Sequence, residues 1–353
     1  MNHKERVLTT INHQCADRVP FFYWAVPEFS EKIIKHFGFS GMDELLKFFD
    51  VDFRCIEPDY IGAELRKSNE PRKKDIWGVK YKLVGKNNLK YWDIDKCPLE
   101  GIKDISALSD YNCPTTDLFD FASLEKKIEQ YKEYAIMTAP GYSSPGLLRI
   151  MQRLVGKDNF TEIVKYNPKL FAALAERISG FYIKFIEEFF KVTGNRVDFI
   201  RIADDFGSQS GISISKEMWD DICKPVIEKY YEIPLKLGVK FYMHSCGGVR
   251  KLIPEFLSVG AHVLDPVQTK AAGMSPEGLK KDYGHFITFC GGLDEALLLK
   301  KVQPAQVKKG VIELLNIMAP NGGFILGPSQ KIKVETPVEN VVAMYEAARE
   351  WNY

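Results

Sequence analysis

Residues 240–246 read KFYMHSC and run straight into Gly247 and Gly248. In a β-strand side chains alternate faces, so His244 and Cys246 point the same way and Ser245 the other. A short apolar run closed by polar residues and a glycine pair reads as a buried strand with a functional end. The same design recurs along the chain. RVPFFYW (18–24), VDFRCIEP (51–58), YAIMTAP (134–140), VDFIRIADD (197–205), HVLDPV (262–267), HFITFCGG (285–292) and GFILGPS (323–329) complete a set of eight.

Helical stretches lie between these strands. NPKLFAALAERISGFYIKFIEEFFKVTG (167–194) and SKEMWDDICKPVIEKYYEIPLKLG (215–238) repeat apolar residues at three and four, and each ends in glycine. TPVENVVAMYEAARE (336–350) places Thr336, Pro337 and Glu339 as N-cap, N1 and N3 of a capping box. Eight strands alternating with helices predict an α/β fold, a (β/α)8 TIM barrel. An open doubly wound sheet is the rival, but no Gly-rich dinucleotide fingerprint follows the first strand. The alternating KDIWGVKYKLV (74–84) predicts a hairpin strand, so the barrel carries an inserted hairpin region near residues 60–130. The whole of 1–353 is expected to form a single barrel domain.

Composition excludes several functions. A formal net charge of +1 without any basic block invites neither nucleic acid nor an anionic membrane. No run reaches the roughly 18 apolar residues of a membrane span, and residues 1–20 lack a signal-peptide core. The expectation is a cytoplasmic enzyme. Seven scattered cysteines, an odd number, argue against a disulfide framework.

A barrel gathers its chemistry at the C-terminal ends of its strands. Those ends carry Glu57, Asp59 and Tyr60; Tyr142 and Ser143; Asp204 and Asp205; His244 and Cys246; Asp265; Cys290 and Asp294; Ser329 and Gln330. His244 and Cys246 offer two metal donors on one face, or else form an ordinary buried pair. Asp204 and Asp205 are the candidate catalytic carboxylates, although neighbours on a strand face opposite ways and at most one enters the mouth. That one would orient substrate or accept a hydrogen bond from His244. Tyr23, Trp24, Glu57, Tyr142, Arg201 and Gln330 are the candidate substrate-binding residues. Gly247 and Gly248 serve a tight turn or let a large ligand approach the backbone.

ERVLTTINHQCADRVP (5–20), DDFGSQSGISISKEMWDDICKP (204–225), MHSCG (243–247), FITFCGGLD (286–294) and GFILGPSQKIKVETPVENVVAMYEA (323–347) together resemble the uroporphyrinogen decarboxylase superfamily from end to end. The resemblance implies a (β/α)8 barrel and one of two activities. The decarboxylases carry an arginine-rich motif near the first strand that grips a tetrapyrrole's carboxylates. This chain reads FFYWAVPEF (21–29) there, with no arginine between Arg18 and Arg54. The other branch, zinc-dependent corrinoid methyltransferases, binds zinc through His-x-Cys after strand five and a cysteine after strand eight. His244 and Cys246 match the first two positions, whereas the third is Gln330, a poor zinc ligand. Cys290 is therefore expected as the third ligand, with Asp204, Asp205 and Glu57 as further candidates. The resemblance implies Zn²⁺ as cofactor and a corrinoid (methylcobalamin) supplied by a separate corrinoid protein. It also implies a small-molecule methyl donor or thiol acceptor, with the direction of transfer left open. A tetrapyrrole lyase and a non-catalytic corrinoid-binding accessory barrel are the alternatives.

Overall fold

A computed structural model describes residues 1–66, 70–85, 91–294 and 302–353. Seven strands form one parallel sheet in the order Phe53–Ile56, Ala135–Thr138, Phe199–Ala203, Lys240–His244, Ala261–Val267, Thr288–Leu293 and Phe324–Pro328. Helices connect successive strands, so the sheet curls into a TIM-barrel-like α/β fold. The eighth segment behaves differently from the expected continuous strand 18–24. It makes isolated bridges, Phe21 with Leu326 and Ala25 with Ile332. On its other side one backbone bond, Asp52 N–H to Phe21 O (3.1 Å), joins it to the strand Phe53–Ile56. Pro20 has no N–H to contribute, and a helix already starts at Pro27, leaving little length for a ladder.

The barrel interior has a plug with an inward residue from each of the eight segments: Phe22, Phe53, Met137, Phe199, Tyr242, Val263, Cys290 and Ile325. Most are large and apolar, and each fully buried side chain of this kind stabilises the fold by roughly 1.5–3 kcal/mol. This plug is the floor beneath the mouth. A second core lies between strands and helices, where the helix Pro168–Thr193 buries Leu170, Leu174, Ile178, Phe181, Phe185 and Phe189. Asn167 caps that helix by accepting from Leu170 N–H (3.1 Å), and Gly194 ends it at φ 55°.

Two helix expectations need correction. The segment 215–238 is not one continuous α-helix: a π-turn, Trp219–Cys223, separates Lys216–Met218 from Lys224–Lys236. Pro225 lacks the N–H that would continue the i−4 ladder there. The last helix is Val338–Glu350 with Pro337 as N-cap, so the box on Thr336 does not form and Thr336 is buried instead.

Between Phe53–Ile56 and Ala135–Thr138 the chain makes the expected excursion. Asp59–Tyr60 pairs antiparallel with Phe119–Asp120. Arg72–Lys74, Lys80–Val84 and Tyr91–Lys96 form a three-stranded antiparallel sheet, one strand more than a hairpin. Its Asp75, Ile76 and Trp77 reach over the barrel and wall its mouth. Among the described residues no helix is long and apolar enough to cross a membrane.

Candidate metal centre at the barrel mouth

His244 is the last residue of its strand, and its position is set from below. Its Nδ1 lies 2.6 Å from Asp265 Oδ2 on the adjacent strand, where register pairs the two residues. A carboxylate only accepts, so Nδ1 carries the proton and the Nε2 lone pair is free. Burial, then the nearby Arg201 guanidinium, pulls the His244 pKa down, while Asp265 opposes them. Arg201 lies 3.5 Å from the same Asp265 oxygen. The chain Arg201–Asp265–His244 is almost fully enclosed.

Nε2 faces Cys246 Sγ at 3.8 Å. Tetrahedral zinc, with bonds of about 2.0 Å to nitrogen and about 2.3 Å to sulfur, separates the two atoms by roughly 3.5 Å. Asp205 completes a cluster in which the ligand atoms of Asp205, His244 and Cys246 all lie within 4.8 Å of one another. One imidazole, one thiol and one carboxylate suit a divalent ion of the zinc type. Burial pushes the Cys246 thiol pKa up and Asp205 adds to it. A cation among these groups reverses both effects, because it favours the thiolate and offsets the carboxylate.

The turn after Cys246 requires glycine. Gly247 has φ 88°, and a Cβ there would collide with the backbone of Gly207 and Ser208. Its N–H donates to Gln268 Oε1 (3.0 Å), while Ser245 Oγ accepts from Phe206 N–H (3.0 Å). The glycine thus packs loop against loop, and its backbone also lines a cavity beside Cys246.

The remaining sequence candidates divide. Only one of the two aspartates reaches the mouth. Asp204 turns away and accepts from Leu147, Leu148 and Arg149 N–H (2.6, 3.0 and 2.8 Å), anchoring the helix Leu148–Val155. Burial lifts its carboxyl to about 6 against those donors. The carboxylate thus anchors a helix start and does not line the cavity that holds Asp205. Cys290 is likewise corrected as third ligand. It faces inward, but in the plug, where its thiol meets Tyr242 and Asp265, and it is not among the donors that cluster within 4.8 Å of one another. Tyr23 packs on Phe49 and bonds Ser30 Oγ (3.0 Å), outside the cavity. Glu57 braces the loop 140–142 by accepting from Tyr142 N–H (3.1 Å) and does not line the cavity.

Trp24, Tyr142 and Arg201 do line it, together with Asp205, His244 and Cys246, around a volume of about 380 Å³. Trp24 meets His244 edge-on, with centroids 5.1 Å apart. Gln330 lines a neighbouring cavity of about 280 Å³, of which Cys246 is also a wall.

The sequence profile of the uroporphyrinogen decarboxylase (URO-D) family matches residues 146–351, more than half of the chain and all three clustered donors. The chain belongs to the URO-D family. Among solved structures it is similar to a methyltransferase from Methanosarcina mazei, at 16% identity over 99% of each chain with a TM-score of 0.68. It is also similar to a D-psicose 3-epimerase, at 13% identity over 65% of this chain and 91% of the other with a TM-score of 0.35. No curated protein sequence matches it significantly.

Within this URO-D barrel, sequence reasoning missed the cations. Arg149, Arg153 and Lys331 line the cavity with Arg201, against the carboxylates of Asp75 and Asp205. Arg149 spends its guanidinium on the carbonyls of Ala203 (2.9 Å) and Ser144 (2.6 Å), neither a counter-charge. Burial first, then Arg201, Arg153 and Arg149, lowers the Lys331 pKa. A signal existed: Arg149 and Arg153 stand four apart in LLRIMQRLV (147–155), just past a strand end, and so share a helix face.

Proposed function

We propose that this URO-D family protein is a zinc-dependent methyltransferase. It moves a methyl group between a corrinoid carried by a separate protein and a small thiol or methylated substrate bearing an anionic end. The observation that carries this reading is the clustering of Asp205, His244 and Cys246 in a cavity walled by four cations. The overall likeness to a methyltransferase supports the fold that such a site needs.

Asp205, His244 and Cys246 would hold the metal, leaving a position for substrate as catalytic sites do. Bound there, zinc supplies Lewis acidity that lowers a thiol's pKa or polarises a methoxyl oxygen. The chain does the rest. Asp265 keeps the His244 lone pair aimed at the cluster, and Arg153 and Lys331 receive the substrate's anionic end. Trp24, Trp77 and Tyr142 exclude water around it. In the thiol direction the new S–C bond forms as the methyl corrinoid's Co–C bond breaks. Both electrons of that bond stay on cobalt, and the thiol proton leaves to solvent.

The cationic lining also favours a carboxylated tetrapyrrole, the decarboxylase reading. Arg18 and Arg54 do not supply it: Arg18 binds Asp50 and Asp52, and Arg54 stacks on Tyr134 (3.7 Å). A volume of about 380 Å³ sits at the small end of ligand sites and suits a compact substrate. The accessory-barrel alternative rested on a missing third donor, a place that Asp205 would take in this reading.

The test is spectroscopic. Zinc-loaded protein with methylcobalamin and a small anionic thiol should convert the methyl corrinoid spectrum to that of reduced cobalamin, forming the thioether. Uroporphyrinogen should stay intact. Protein that takes up no zinc, or that decarboxylates uroporphyrinogen efficiently, would overturn the proposal.

A further inference from the structure

Cys246, Trp24 and Lys331 form a partition with a cavity on each side. Lys331 Nζ sits 5.8 Å from the centre of the Trp24 ring, within reach of a cation–π contact. The cavity on the His244 and Asp205 side is strongly cationic. The other, of about 280 Å³, differs in chemistry: apart from Lys331 its side-chain lining is neutral, with Gln209, Gln268 and Gln330 supplying amides.

This second cavity is a built site. Gln268 is only 5% exposed. Its Oε1 accepts from Gln209 Nε2 (2.9 Å) and from Gly247 N–H (3.0 Å). Those two bonds fix both glutamines, and they leave the Gln209 carbonyl and the Gln268 amide N–H groups to face a ligand. Apart from Lys331, which it shares with the cationic side, this lining offers neutral donors and acceptors and no arginine, so it suits a partner with neutral amides better than a polycarboxylate.

We infer that this amide-lined cavity receives the rim of the corrin macrocycle, whose periphery carries neutral carboxamide arms, while the small anionic substrate occupies the cationic cavity across the partition. The inference rests on the methyltransferase reading above. It assigns the two reactants to opposite sides of Cys246, so that neither must leave for the other to enter. A cavity of this size takes an edge of the macrocycle, and the rest of the ring stays on its carrier.

Equilibrium binding of free methylcobalamin, followed by absorbance on the full-length zinc-loaded protein, tests the assignment. Gln209→Glu and Gln330→Glu each place a carboxylate against neutral amides and should weaken methylcobalamin binding about tenfold. In Gln209→Glu, zinc content and the binding of 3-mercaptopropionate should not change. Arg153→Ala should do the reverse, weakening the thiol about tenfold and leaving methylcobalamin alone. Gln330→Ala, at a position that is partly exposed, guards against a misfolded variant. Methylcobalamin binding that ignores both glutamate substitutions, falls equally with Arg153→Ala, or is absent from the folded parent overturns the inference. Binding that follows the glutamines in protein unable to hold zinc would retain this cavity assignment and remove the catalytic reading instead.

Discussion

Asp265→Asn is the most informative single change at the mouth. Asparagine keeps the volume and one carbonyl oxygen, so the cradle of the His244 ring persists. What disappears is the negative charge that receives Nδ1–H at 2.6 Å and stands 3.5 Å from the Arg201 guanidinium. Two effects then act in one direction. The imidazole becomes a weaker donor because its proton meets a neutral acceptor, and the Arg201 charge faces the cluster unscreened in a buried setting. Loss of a metal ligand's carboxylate partner typically lowers affinity 10- to 100-fold, or about 1.4–2.7 kcal/mol. The upper part of that range is expected, because Arg201 adds repulsion to the weakened donor. Competition against a chromophoric zinc chelator at fixed pH reads the constant directly, and circular dichroism checks the fold. A correctly folded Asp265→Asn protein within twofold of the parent's zinc affinity would refute the idea that this carboxylate orients His244 for metal.

Cys246→Ser should lose most zinc, while Cys290→Ser should keep it and show only a modest drop in melting temperature; metal analysis of the two purified variants decides. Gly247→Ala should cost at least about 1–2 kcal/mol in urea unfolding, since φ 88° and the Gly207–Ser208 backbone both oppose a Cβ. At the base of the barrel, burial raises the Asp52 pKa, but the hydrogen bond from His3 and the charge and hydrogen bonds of Arg18 outweigh it and hold the carboxyl below its usual range. Its stabilisation is therefore full above about pH 4 and lost as pH falls through the depressed value. Asp52→Asn should flatten that acid limb and lower stability at neutral pH by about 3–5 kcal/mol, seen in denaturant midpoints across pH.

The barrel was legible because its strands are short apolar runs with polar ends, and that pattern depends only on local sequence. His244 and Cys246 were legible for the same reason: two-residue spacing puts them on one face. Cys290 failed because strand position in the chain does not give height in the barrel, and its thiol lies in the plug layer with Tyr242. Alternation should have separated Tyr23 from Trp24, since neighbours on an extended chain cannot both face the mouth. For Asp204 no local cue existed. Its partners are the N–H groups of Leu147, Leu148 and Arg149, more than fifty residues earlier, and only tertiary packing brings a helix start to that carboxylate.

The bridged first segment bears on how this protein is assembled. Trp24 O accepts from Ile332 N–H (3.0 Å), and Ile332 O accepts from Val26 N–H (2.9 Å). Nearby, Tyr345 of the last helix donates its hydroxyl to Phe22 O (3.0 Å). Trp24 is thus stitched to the stretch that carries Gln330 and Lys331, while toward the strand Phe53–Ile56 its segment is held at Asp52, by one backbone bond to Phe21 O and by the Asp52 carboxylate, which accepts from Phe21 N–H and Arg18. A ribosome delivers these two pieces some three hundred residues apart. The dividing wall of the mouth therefore cannot exist until nearly the whole chain has been made. Immature chains would carry His244, Cys246 and Asp205 on a sheet whose first and last pieces have not met, and closure of the ribbon is what turns a groove into two chambers.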